Sequence, residues 1–267
     1  MPTSRGSRLL ALGMVGVLSV ACGSGGSGAS GQEDWTEVHS RLQTIGEHGI
    51  HAEDDVRFAL DRLENGRGSE RVVAAWALGS IRHGGADPLL REALEDDDPN
   101  LRSNAIGALL ALESSDWVDV LATGLSDGTA FVQQATLSLM PDTTPPALLE
   151  PIAALLVESE DESVRIGAAD ALGATRGEGV AEALSRGAAD PAKDVRVHVA
   201  FALGKIEHDA AVPVLTSLLE DESWEVRANA VQALGRYDEP AALEVVQEML
   251  EDPNGSVRAV AQSIVDR

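Results

Sequence analysis

The chain is expected to fold as an all-α solenoid, a stack of about seven helical hairpins, and three observations predict it. One phrase recurs at a fixed step: an arginine, a run rich in alanine and valine, then leucine and glycine. Aligned on that arginine, the copies fall at Arg71, Arg102, Gln133, Arg165, Arg196, Arg227 and Arg258, with steps of 31, 31, 32, 31, 31 and 31 residues. A constant period of this length marks a stacked-repeat architecture. Within each copy the apolar residues stand one before the arginine and three, six and seven after it, as at Val195, Val199, Ala202 and Leu203, which is one face of an α-helix. Composition agrees: 44% of residues are hydrophobic, yet there are only four Trp, three Phe and one Tyr. Such an interior is packed from small side chains, as where many short helices meet.

The first 21 residues stand apart from this pattern. Arg5 and Arg8 precede an apolar run over 9–21 with no acidic residue, the layout of a signal peptide. As a helix that run would reach roughly 20 Å, short of the roughly 30 Å hydrocarbon thickness, so it is not expected to stay as a membrane span. Its end, Leu18-Ser19-Val20-Ala21-Cys22, resembles the lipobox of bacterial lipoproteins. The resemblance implies cleavage before Cys22 and lipidation of that cysteine, followed by a flexible Gly/Ser linker over 22–33. Cys22 is the only cysteine, which leaves no internal disulfide. The expected location is therefore outside the cytoplasm, lipid-anchored to a bacterial membrane: the outer membrane, its periplasmic face or the cell surface.

Residues 34–267 are expected to form the solenoid. The stretches 35–46 and 53–63 match the unit weakly and should make a capping first layer. Between the motif helices, a second apolar-periodic segment recurs at 87–94, 117–125, 147–156, 181–188, 211–219 and 241–250 and completes each hairpin. One hairpin cannot bury both its faces alone, so neighbours must stack on it. Gly79, Gly173, Gly204 and Gly235 follow the motif leucine and are expected to take left-handed C-terminal caps. Asp98, Asp190 and Asp252, each before a proline, are expected to cap the next motif helix. One copy departs: Gln133 replaces the arginine, Pro141 the glycine, and further prolines at 145 and 146 predict a bend. Gln262 stands in a column held elsewhere by Ala75, Ile106, Leu137, Ala169, Ala200 and Val231, giving the last helix a polar face where the stack is expected to end.

The phrase Val-Arg-x-x-Ala-x-x-Ala-Leu-Gly, followed by segments such as Ala211-Val-Pro-Val-Leu215, resembles HEAT-like repeats of the phycobilin-lyase type over roughly residues 50–267. The resemblance implies a right-handed α-solenoid of the armadillo/HEAT kind that usually serves as a binding scaffold. It implies that Arg71, Arg102, Arg165, Arg196, Arg227 and Arg258 join adjacent turns through a preceding aspartate. Asp161, Asp194, Asp221 and Asp252 match, at differing offsets. It also implies that the arginine-bearing helices line the concave side.

On that side, positions near two, five and nine after the arginine should face solvent. They hold Trp76, Asn104, Asp170, His198, Phe201, Asn229, Gln232 and Arg236, chemically varied where the core columns stay Ala, Val and Leu. These are the candidate protein-binding residues, with Trp76 and Phe201 as anchors; the bland alternative is that both rings fill grooves between helices. Acids cluster at the hairpin turns, as in Glu95-Asp96-Asp97-Asp98 and Glu220-Asp221-Glu222, and would form a negative ridge for a basic partner or calcium, or merely complement helix dipoles. With 44 acidic against 20 basic residues the net charge is −24. Cleavage at Cys22 would remove two of the basic residues, leaving 18 − 44 = −26. Such a surface repels nucleic acid and anionic lipid, so the expected partner is a protein, cationic if charged, with membrane contact through the lipid alone. A monomer is expected.

No cofactor or metal is expected. His48 and His51 lie near Glu47, Glu53 and Asp54, but Gly49 makes the segment a loop and a convergent ligand set is not evident. The competing reading is a lyase-like or metal-dependent HEAT-repeat enzyme. Hydroxylases of that kind use His-Glu pairs, and this sequence has no His-Glu dipeptide, so the expectation is a binder without catalysis.

Overall fold

The computed structural model describes residues 35–141, 144–175, 179–206, 208–237 and 239–267. The signal peptide, Cys22 and the linker to residue 33 lie outside the described residues. Those described are helical throughout, with no strand among them, and form two compact units, one up to Leu139 and one from Met140.

The first unit contains α1 (Trp35–His48), α2 (Glu53–Asn65), α3 (Ser69–Ser80), α4 (Asp87–Ala93), α5 (Pro99–Ala111), α6 (Trp117–Leu125) and α7 (Ala130–Ser138). Here α3, α5 and α7 carry the motif. The second contains α8 (Pro146–Glu158), α9 (Glu162–Ala174), α10 (Val180–Ser185), α11 (Lys193–Leu203), α12 (Ala211–Leu218), α13 (Trp224–Leu234), α14 (Pro240–Glu248) and α15 (Gly255–Val265). There α9, α11, α13 and α15 carry it. Within each unit every motif helix packs on the next motif helix and on the intervening helix beside it. Motif helices share more contact with one another than the intervening helices do. In the first unit α1 and α2 both lie on α3 and touch each other little, so together they form a covering layer.

The apolar columns are buried as their spacing predicts: Leu101, Ala105, Ala108 and Leu109 on α5, and Val195, Val199, Ala202 and Leu203 on α11. Each fully buried leucine or valine contributes about 1.5–3 kcal/mol relative to exposure.

Two sequence expectations fail for instructive reasons. The motif glycines do not take left-handed caps. Gly79 and Gly173 lie inside their helices, and Gly204 and Gly235 end theirs with φ of −69° and −65°. Their role is close approach. A Cβ on Gly79 would stand 2.7 Å from the Cα of Ala108, one on Gly173 2.6 Å from the Cβ of Ala202, and one on Gly204 2.7 Å from the Cβ of Ala233. Each glycine therefore opens the space that the alanine six after the next arginine fills. In the first unit the left-handed residues that end α3 and α5 are Arg82 and Glu113, at φ of 51° and 57°.

The cap expectation fails at two of its three positions. Asp98 caps α5, accepting from the N–H of Asn100 at 2.9 Å. Asp190 and Asp252 lie two residues too early. At the start of α11 the cap position holds Ala192, and α15 is capped by Asn254. What Asp190 and Asp252 do instead defines the joint between repeats.

Candidate functional site

The motif arginine sits in the first turn of its helix and reaches two turns at once. On α5, α9, α11 and α13, Nη1 donates to the carbonyl six residues earlier, of Asp96, Ser159, Asp190 and Asp221, at 2.7–2.9 Å. Nε and Nη2 donate in parallel to both carboxylate oxygens of an aspartate 25 residues later. Arg102 reaches Asp127 at 2.6 and 2.9 Å, and Arg165 reaches Asp190 at 2.8 and 3.2 Å. Arg196 reaches Asp221 at 2.7 and 2.9 Å, and Arg227 reaches Asp252 at 2.7 and 3.0 Å. Such bidentate, charge-assisted pairs fix geometry as well as energy. Arg71 reaches Asp96 25 residues on through Nη1 alone, its Nε donating to the Leu63 carbonyl instead, and Arg258 donates to the Asp252 carbonyl at 2.6 Å. Every one of these aspartates also accepts the N–H two residues on, at 2.7–2.9 Å.

The partner acid thus always stands six residues before the next motif position: Asp96, Asp127, Asp190, Asp221 and Asp252. Of the acids matched by resemblance, Asp221 and Asp252 take that place. Asp161 instead caps α9, accepting from Ser163, and Asp194 forms no ion pair among the described residues. At the deviant copy Gln133 keeps only the turn contact, donating to the Asp127 carbonyl at 2.8 Å, and the place before Arg165 holds Ser159. The bond from Arg102 holds the Asp127 carboxyl below its ordinary 3.8 against an opposing push from burial. Arg227 does the same to Asp252. For Asp221, burial pushes up most strongly, yet Arg196 and the Ser223 N–H outweigh it. The acidic turns are therefore not free ridges: their innermost carboxylates are committed to the joints, while Glu220, Glu222 and Glu251 remain exposed.

The candidate binding positions separate under this geometry. Trp76 is a packing residue, half-buried against the first unit's core with its ring on the backbone of Gly46 in α1; a Cβ there would lie 2.3 Å from it. The expectation of a free anchor at Trp76 is thereby corrected, because the covering layer occupies its face. Asn104 and Asn229 turn inward along their own helices, donating to the carbonyls of Asn100 and Glu225 at 2.8 and 2.9 Å.

In the second unit the same columns come together as a surface. Asp170 on α9 lies 2.8 Å from Nδ1 of His198 on α11. Phe201 is 42% exposed, with Lys205 Nζ 5.0 Å and Arg236 Cζ 5.9 Å from its ring centroid. Gln232 is exposed on α13 beside them in the repeat register. Lys205 escaped the sequence reading, although it stands nine after Arg196, as Arg236 does after Arg227. Near the start of these helices, Lys193 and Glu225 pair at 2.8 Å, and this contact with that to Ser223 pulls Glu225 down to about 2.

Gly49 is left-handed directly after α1 ends at His48, and His48 Nδ1 lies 3.3 Å from the Thr44 carbonyl. Among the described residues no group of three His, Cys, Asp or Glu is placed to hold a metal ion, and no helix is long and apolar enough to cross a membrane.

A family model for HEAT repeats matches residues 56–140, 118–196 and 186–264. No curated protein matches the chain in sequence. Among solved structures, an engineered protein is similar at 20% identity and a TM-score of 0.52, over 86% of this chain and 72% of that one. Human deoxyhypusine hydroxylase in complex with glycerol is similar at 22% identity and a TM-score of 0.42, over 86% of this chain and 96% of that one.

Proposed function

Because the chain belongs to the HEAT-repeat family, we propose that it is a binding scaffold which holds a protein partner against the exposed face of its motif helices. The observation that carries this reading is the division of labour along those helices in the second unit. One side is committed to packing and to the Arg–Asp joints. The other presents Asp170, His198, Phe201, Gln232 and Arg236, whose chemistry the packing does not call for. An exposed aromatic among polar groups on a rigid framework is the usual anchor of a protein interface. The net charge of −24 favours a partner that is cationic overall. The chain is read as a monomer and a binder rather than an enzyme, the absence of any His-Glu dipeptide setting it apart from the metal-dependent HEAT hydroxylases. The lipobox-like sequence ending in Cys22 supports a tether to the bacterial envelope by acyl chains, each buried methylene adding about 0.8 kcal/mol.

A photo-crosslinking residue at Gln232, compared with one at Glu244 on α14, tests the face directly in native membranes. Capture from position 232 that weakens with Phe201→Ala is the expected result; capture from position 244 alone would overturn it. Replacing Cys22 by Ser should abolish labelling by an alkyne fatty acid and release the protein from membranes. Retention of both would remove the tether.

A further inference from the structure

The position nine after the motif arginine differs among the repeats. Ser80, Ala111 and Ala174 fill it in three of them, whereas a cation fills it in the last three: Lys205, Arg236 and Arg267. A cation near a helix C-terminus gains from the dipole, but three repeats that do without one show that the fold does not require it. The chain has 44 acidic residues for 20 basic, and the motif arginines around this spot are all engaged by carboxylates. Lys205 and Arg236 form no ion pair with a carboxylate of the described residues. Their shared neighbour is Phe201, whose exposed ring lies 5.0 Å from Lys205 Nζ and 5.9 Å from Arg236 Cζ. Arg236 spends one donor, Nη1, on the Gly204 carbonyl at 3.3 Å and has others to offer.

We propose that this cluster docks an acidic, extended peptide segment of the partner, with the pattern acid, spacer, apolar residue, spacer, acid. The proposal rests on the reading that the motif-helix face is the docking face. In an extended chain alternate residues share a side, so an apolar residue can be flanked on that side by two acids. The apolar side chain lies on Phe201 and the carboxylates accept from Lys205 and Arg236. A narrow segment meets only this cluster. A flat anionic membrane would also face Asp170, exposed on α9 in the column that holds Phe201, and the chain's net charge of −24, and both repel it.

The test is fluorescence anisotropy with the full chain and fluorescein-labelled Gly-Glu-Ser-Leu-Ser-Glu-Gly. Saturable binding is expected, weakened by added salt. Exchanging both glutamates for lysine should weaken it about tenfold, as should the double variant Lys205→Gln/Arg236→Gln. Phe201→Ala should weaken it about threefold, and circular-dichroism melts of each variant should match the parent. Equal affinity for the lysine peptide, or no effect of the double variant, overturns the proposal. So does sedimentation with 7:3 phosphatidylcholine–phosphatidylglycerol vesicles that depends on Lys205 and Arg236 while the peptide does not bind. A photo-crosslinker separates the two claims. If the peptide labels position 232 equally with and without the double variant, only the charge assignment fails. If it labels position 244 instead, the choice of face fails.

Discussion

In the second unit Arg165, Arg196 and Arg227 repeat one clamp three times without a break, whereas in the first the clamp runs from Arg71 and Arg102 and stops at Gln133. The glycine column follows suit. Gly173, Gly204 and Gly235 each admit the next helix, but after Gly79 the first unit has Leu110 in that column, and the copy at Gln133 has Pro141. The first unit makes up the difference locally. Its close approach moves to the intervening helix, where a Cβ on Gly124 would lie 2.2 Å from the Thr136 hydroxyl. The left-handed Arg82 and Glu113 pair at 3.1 Å, and Arg91 bridges Asp87 and Asp116 at 2.7 and 2.6 Å. The repeat is thus a set of separable devices, each replaceable if its volume or charge is supplied elsewhere.

Removing a clamp should show the contrast most strongly. Arg196 and Asp221 are each 8% exposed, whereas Arg71 and Asp96 are 27% and 19% exposed. Arg196→Ala leaves the desolvated Asp221 carboxylate with the Ser223 N–H but without its arginine and should cost about 3 kcal/mol. Arg71→Ala should cost about 1 kcal/mol. Urea midpoints decide, and equal losses would erase the distinction. The same clamps set the acid limit. Asp127, Asp221 and Asp252 have folded pKa values below their ordinary 3.8, so their contribution is complete above 3.8 and is lost as pH falls through the lower folded values. Melting temperature should therefore drop on acidification below 3.8, less steeply in Arg196→Ala, and an unchanged slope would remove the clamps from the account.

Adding a methyl group sharpens the comparison further. Gly79→Ala and Gly173→Ala meet a neighbouring helix and should destabilise by about 1–3 kcal/mol. Gly107→Ala meets nothing within 4 Å and should stabilise by about 0.5–1 kcal/mol. A gain at all three would mean that the helices have room to spare. Within the first unit, Gly124→Ala and Thr136→Ala should couple by about 1 kcal/mol in a double-mutant cycle, since the second change makes space for the first. The smallest expected effect is at Glu113, where glycine relieves a left-handed backbone while losing one exposed ion pair, a net change of about 0.5 kcal/mol in thermal melts.

The fold was largely legible because its determinants are local and repeated. Leucine and alanine columns at helical spacing fixed the helix pairs, and even the weak stretches at 35–46 and 53–63 became α1 and α2. The joints were less legible. Acids lie four and six residues before the motif positions, and only those at minus six meet an arginine, a choice visible in sequence only as the 31-residue spacing of Asp190, Asp221 and Asp252. Glycine at the motif end was ambiguous in principle, since a left-handed cap and a close helix crossing favour the same residue. For the candidate face, column counting placed Asp170, His198 and Phe201 off the buried core, where they lie. It misplaced Trp76, because the covering layer has no motif from which its register could be read. Volume exchange was also hidden. Gly187 precedes Val199 by twelve residues, as Gly124 precedes Thr136, while Leu156 and Leu218 precede Ala168 and Ala230 at that same offset.

The shared aspartates carry a consequence for how such a gene can change length. Each links an arginine 25 residues upstream to a turn that serves the arginine six residues downstream, so duplicating or deleting one whole block of codons rejoins the same partners. A short insertion inside the linked interval would uncouple them. The lone irregular step in this chain, 32 residues instead of 31, opens at Gln133, the copy whose missing arginine leaves no such register to preserve.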